Sequence, residues 1–137
     1  MEHKGNELVG AERLGSDEVV VDLGRKILLV RGRRVMLDSD LAALYGVTTS
    51  RLNEQVKRNA ARFPVDFMFP LEIHEIAALR SHFAISKGRG GRRTPPLAFT
   101  EHGALMLASV LNSPIAVQAS IYVVRAFVRL RSRRSTS

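Results

Sequence analysis

The chain has 137 residues, 45% of them hydrophobic, a formal net charge of +8 and no cysteine. That length suits one domain with a real core and is too short for two comfortable ones. The missing cysteines exclude disulfides, thiolate chemistry and cysteine-ligated zinc together. Charge is unevenly spread: Met1 to Asp22 holds six acids against Lys4 and Arg13, which leaves about +12 on the remainder. So basic a body suits a polyanion, nucleic acid first and an anionic membrane second. No apolar run is long enough to span a bilayer, and the polar start MEHKGNELVGAERLGSDE lacks a signal-peptide core, so a soluble cytoplasmic protein is expected.

Met1 to about Leu23 shows no sustained periodicity and reads as a flexible acidic arm or a short, poorly held helix. Lys26 to Leu37, KILLVRGRRVML, is two runs rich in Ile, Val and Leu about Arg31, Gly32 and Arg33, the pattern of a β-hairpin with glycine at its tip. Arg31, Arg33 and Arg34 there are candidates for phosphate contact, against the plainer role of edge-strand charges that discourage aggregation.

Asp38 to Arg62, DSDLAALYGVTTSRLNEQVKRNAAR, predicts two short helices about a glycine turn. Asp38 or Ser39 can cap the first, whose Leu41, Leu44 and Tyr45 form one apolar stripe, and Gly46 stops it. Thr48 or Thr49 can cap the second, which is expected to run to about Ala61 with Leu52, Val56 and Ala60 on one side and Ser50, Arg51, Glu54, Lys57 and Arg58 pointing away. Asn53 and Gln55 flank that polar face, and such amides can pair with adenine in a major groove as arginine pairs with guanine. Arg51 lies against the positive end of the helix dipole, and broken local rules often mark functional sites. The plainer alternative is an ordinary helical hairpin with a solvated face, which Gln55, where an apolar residue is usual three after Leu52, favours.

In RFPVDFMFPL, Pro64 breaks the helix, and Phe63, Phe67 and Phe69 read as core aromatics leading into a strand that Pro96 to Phe99 would partner. Leu71 to about Phe83 predicts one supporting helix with Glu72 and Glu75 near its start, while His74 and His82 lack a third ligand at metal spacing. Ser86 to Arg93, SKGRGGRR, places Lys87, Arg89, Arg92 and Arg93 among three glycines, so its main chain can approach phosphates that the cations neutralise. It is no P-loop, because no Gly-Lys-Ser/Thr ends the run and Pro95 and Pro96 follow. Thr100 caps a further helix ending near Asn112, and Ile115 to about Arg131 is apolar nearly all round, fitting a central core helix, with a homodimer contact through residues 115–130 as the alternative.

The phrases RGRRVMLDSDLAALYGV, RLNEQVKRNAARFPVDFMFPL, SKGRGGRR, LAFTEHGALMLASVLNS and RAFVRLR together resemble the phage ORF-6 N-terminal domain family of the KilA-N group, in the same order, over about Ile27 to Arg131. The resemblance implies DNA binding by a phage or prophage regulator of transcription, with residues Arg51 to Asn59 and Lys87 to Arg93 in the family's two basic segments. It also implies a variable second domain; little follows Arg131, which points to a standalone module or a truncated prophage remnant. The expected architecture is α+β: a helix-turn-helix-like unit, a small antiparallel sheet with hairpins, and additional packing helices. Residues 1–23 form the arm, 24–131 the KilA-N-like domain and 132–137 a basic disordered tail.

Double-stranded DNA is therefore the expected partner, contacted by Arg51, Asn53, Gln55, Lys57 and Arg58, with the glycine loop and hairpin tip on flanking phosphates. The alternative is an interaction module that modulates a repressor, antirepressor-like or oligomerising, without reading DNA. Binding of RNA or single strands ranks lower because the phenylalanines read as buried. No enzyme, cofactor, metal or small-molecule substrate is expected: capping accounts for Asp38 and Asp40, neither has a histidine partner nearby in sequence, and Ser109 and Ser113 have no evident base.

Overall fold

A computed structural model describes residues 16–85 and 94–135. In chain order the elements are α1 (Ser16–Gly24), β1 (Leu28–Val30), β2 (Arg33–Leu37), α2 (Asp38–Tyr45), α3 (Thr49–Arg58), a 3-10 turn (Ala60–Arg62), β3 (Met68–Pro70), α4 (Ile73–Ala78), α5 (Arg80–Ile85), β4 (Leu97–Phe99), α6 (Glu101–Leu111) and α7 (Pro114–Ser135). The fold is α+β, with a small four-stranded antiparallel sheet in the order β1-β2-β4-β3.

The strands are short because each needs only a few alternating residues to wall off two cores. Val35 and Leu37 of β2 turn to one face, with Phe69 of β3 and Ala98 of β4, while Met36 and Phe99 turn to the other. On the first face Leu71 and the partly buried Ile76 and Leu79 complete a small cluster. On the second face the sheet meets the helices in the main core, where Phe63 stands edge-on to Phe99 at 6.0 Å between ring centres. The expected partnership of the Phe67–Phe69 segment with residues 96–99 is present, with Phe69 opposite Ala98.

Helix α7 is the axis of that core. Ala116, Ala119, Tyr122, Val123, Ala126 and Phe127 are buried in it, and α1, α2 and α6 all pack along it. The central position expected from its sequence is thus observed, and the helix runs on to Ser135 rather than stopping near Arg131. Residues 16–24, read as part of the arm, form a helix held by burial of Val20 and Leu23 against the core.

Two further expectations are corrected. The single helix over Leu71–Phe83 is two, α4 and α5, interrupted at Leu79; Ile73, on the expected apolar stripe, is 85% exposed. A reciprocal capping box of Glu72 and Glu75 opens α4, so local capping rather than a continuous buried stripe sustains it. The second helix of the paired unit ends at Arg58, and Ala60 is exposed in the 3-10 turn that follows.

One crossing holds helix and sheet together. Thr100 donates its backbone N–H to the Phe67 carbonyl at 3.0 Å and its hydroxyl to the Asp66 carbonyl at 2.8 Å, and the same hydroxyl accepts from the Gly103 N–H, capping α6. The approach is so close that a Cβ on Gly103 would lie 1.8 Å from the Phe67 carbonyl oxygen. Gly103→Ala should therefore lower unfolding stability by about 3 kcal/mol, the upper end of overpacking costs, whereas Ser109→Ala on the exposed side of α6 should stay within about 0.5 kcal/mol. Urea denaturation checks this, and coincident midpoints for Gly103→Ala and the parent chain would contradict the crossing.

Candidate nucleic-acid interface

Helices α2 and α3 are joined by Gly46, Val47 and Thr48 alone. Gly46 sits at φ 75°, ψ 29°, and the Val47 N–H turns back to the Ala42 carbonyl at 3.0 Å, which closes α2 as expected of glycine there. Thr48 is extended and its hydroxyl accepts from the Arg51 N–H at 3.0 Å, which starts α3. Leu52 and Val56, one turn apart, are buried in the main core. Ser50, Arg51, Glu54, Lys57 and Arg58 are consequently exposed, as their spacing predicts.

The polar side is not uniform. Arg58 is engaged with Glu54 at 3.2 Å, one turn back, while Arg51 and Lys57 make no ion pair with a described residue. Asn53 and Gln55 are half-buried at the flanks. Asn59 closes the helix, its side-chain N–H donating to the Gln55 carbonyl at 2.8 Å. The side-chain carbonyl oxygen of Asn53 is enclosed without a hydrogen-bond partner, the one such side-chain atom among the described residues.

The start of the first helix differs from its expected form. Leu37 occupies the cap position with no side-chain bond, and Asp38 is fully buried, accepting from the Ser39 N–H at 2.8 Å and from the Leu97 N–H at 3.2 Å. Its carboxylate therefore bridges α2 to the start of β4. Asp40 meets His82 of α5 at 3.1 Å, a partner that sequence reasoning missed because 42 residues separate them. This pair ties α2 to the helix that leads toward the glycine loop. That loop itself, with Lys87, Arg89, Arg92 and Arg93, lies outside the described residues.

At the hairpin tip Arg31 and Gly32 both take positive φ, 56° and 74°, the backbone of a two-residue turn matched to strand twist. Arg31 is not turned loose into solvent. Its guanidinium donates to both Glu75 carboxylate oxygens, at 2.7 and 3.0 Å, and to the Pro70 carbonyl at 3.2 Å, while lying 4.2 Å from the centre of the Phe69 ring. The side chains of Arg33 and Arg34, in contrast, make no hydrogen bond or ion pair with a described residue. Of the tip arginines, then, one is spent on joining the hairpin to β3 and α4, and two remain available.

The chain matches the ORF6N domain over residues 25–110, well over half its length, from the hairpin through α6. It is a member of the ORF6N domain family, a phage-type family of DNA-binding regulatory proteins. No curated protein and no solved structure matches it. No helix among the described residues is long and apolar enough to cross a membrane.

The Arg31 bidentate hydrogen bond, with the Glu72 N–H as a second donor, holds the Glu75 carboxyl at about 2, below its ordinary 4.5. A depressed carboxylate stabilises the fold above its unfolded value and loses that contribution as pH falls. The difference in urea stability between the parent chain and Glu75→Gln should accordingly be full above pH 4.5 and shrink toward pH 2. A difference constant across that window would break the assignment.

Proposed function

We propose that the chain is a duplex-DNA-binding regulator that sets α3 in the major groove, α2 and α3 acting as a helix-turn-helix-like unit. The observation that carries this reading is the division of α3 itself: Leu52 and Val56 are consumed by the core, so Arg51, Lys57 and the flanking amides Asn53 and Gln55 are presented by a helix that cannot roll. Arg51, Gln55 and the side-chain N–H of Asn53 supply base-edge contacts, while Lys57 and Arg58 supply phosphate contacts. Arg33 and Arg34 at the hairpin and the glycine loop's Lys87, Arg89, Arg92 and Arg93 extend the cationic surface along flanking phosphates. Arg31 serves this surface indirectly, by fixing the tip. The reading assigns the chain no catalysis and a place in the cytoplasm.

The test is a pair of substitutions in a binding assay across salt concentrations. Lys57→Ala should weaken all duplexes alike and flatten the logarithmic salt slope by about 0.9, the yield of one phosphate. Asn53→Ala should instead cost about 1–3 kcal/mol on preferred sites only. Unchanged discrimination between preferred and scrambled duplexes in Asn53→Ala would leave α3 without a reading role.

A second reading draws support from α7, where Val117, Ile121 and Val128 are 50%, 47% and 37% exposed at spacings of four and seven residues. They lie along the outer side of α7, beside the exposed Arg125, as an apolar strip suited to pairing two copies of the chain. Sedimentation equilibrium checks it: the parent chain should self-associate and Ile121→Glu should be monomeric. A monomeric parent chain at high concentration would remove the homodimer.

A further inference from the structure

At one end of the sheet lies an open, solvent-facing cavity of about 390 Å³, to which α3 contributes no wall. Its walls are the start of β2 with Arg33 and Arg34, the first turn of α6 with Glu101 and His102, and α7 with Phe127 and Arg131. The register makes this meeting unavoidable. Met36 lies opposite Phe99 in antiparallel strands, so the residues preceding Met36 run alongside those following Phe99. Arg34 and Arg33 are thereby carried to the N-terminus of α6, the positive end of its dipole. The size falls within the range of small-molecule sites.

The charges in the cavity are incompletely matched. Arg131 is paired with Glu101, but Arg33 and Arg34 have no partner among the described residues, and Asp66 is the remaining acid on the wall. The Glu101 carboxylate, 23% exposed, meets Arg131 as an incoming oxyanion would. Phe127, 3% exposed, gives an apolar wall, and the His102 ring is held by stacking on Phe67 at 5.6 Å with 20° between planes. Two unpaired guanidiniums, a third whose anion is an exchangeable side chain, and a helix N-terminus together fit one kind of group: a phosphate, with enough oxygens to accept from more than one arginine.

We propose that this cavity is a phosphate-binding site, in which Arg33 and Arg34 hold the phosphate and Arg131 exchanges Glu101 for it. The group belongs either to the backbone of a duplex or to a free nucleotide, and the chemistry of recognition is the same. None of its walls comes from α3; it shares Arg33 and Arg34 with the flanking-phosphate contacts proposed above, and its duplex form rests on that reading.

Calorimetric titration of the full chain with inorganic phosphate, with AMP and with a short duplex tests the site. Glu101→Gln removes the internal competitor and should tighten binding about two- to fivefold, the worth of an exposed ion pair. Arg33→Gln combined with Arg34→Gln should weaken it at least about tenfold, the loss of charge-assisted hydrogen bonds; Arg33→Gln alone, at an exposed position, repeats the test with least risk to folding. Responses with phosphate and AMP identify a free nucleotide, and responses with the duplex alone identify its backbone. If neither Glu101→Gln nor the arginine substitutions move the affinity for any of the three, in chains whose circular dichroism is native, the site is overturned. Duplex binding that falls with the arginine substitutions but is not tightened by Glu101→Gln marks an open flanking-phosphate contact and overturns the cavity. Tightening by Glu101→Gln with no effect of Lys57→Ala or Asn53→Ala refutes the α3 reading and leaves the cavity standing.

Discussion

The arrangement of the paired helices depends on a carboxylate buried where β2 becomes α2. Asp38 has no exposure, and a charge so placed is tolerated only if its oxygens are met. One oxygen is met by the next residue's N–H and the other by Leu97, 59 residues on, at the start of β4. Because the bond reaches the neighbouring strand, the direction in which α2 leaves the sheet is tied to the sheet itself. Tyr45 at the other end of α2 donates its hydroxyl to the Ala104 carbonyl of α6 at 3.0 Å, and burial pushes that phenol well above its ordinary range. With both ends of α2 anchored and only three residues before α3, the orientation of α3 follows from the core.

The basic surplus divides into two populations under this frame. Some cations are internal fasteners: Arg31 on Glu75, Arg131 on Glu101, and Arg58 on Glu54. The first is fixed by two parallel hydrogen bonds and a ring, and it joins segments 44 residues apart; the last is an exposed pair within one helix, worth little to stability. Arg33, Arg34, Arg51 and Lys57 have no such employment among the described residues. Net charge alone cannot separate the groups, since an arginine facing a carboxylate across the sheet counts the same as one facing water.

What was legible in the sequence was whatever local spacing decides. The hairpin about Arg31–Gly32, the glycine stop at Gly46, the Thr48 and Thr100 caps and the buried pair Leu52–Val56 are each written within a few residues, and each is found. The four-strand order, the bridge from Asp38 to Leu97, the Asp40–His82 pair and the commitment of Arg31 to Glu75 were not legible, because they join residues tens of positions apart. Gly103 belongs with them. Within its helix it reads as a mild defect, and only the passage of the Phe67 carbonyl explains why no side chain is tolerated. The interruption at Leu79 was missed for the opposite reason: apolar spacing continues through it although the helix does not.

Helix α3 carries costs that a helix built only for stability would avoid. Its first turn holds Arg51 and no acid, against the dipole by about 0.3–1 kcal/mol, and the enclosed Asn53 oxygen without a donor adds about 1–3 kcal/mol. Both fall on the segment proposed to meet DNA, while Leu52 and Val56 on the core side break no rule. An acid in that first turn would remove the dipole cost but would repel a phosphate backbone, and an apolar residue in place of Asn53 would relieve the unmet oxygen but leave no amide for a base edge. The proposed contact thus accounts for why these departures lie together on one helix rather than being scattered through the chain.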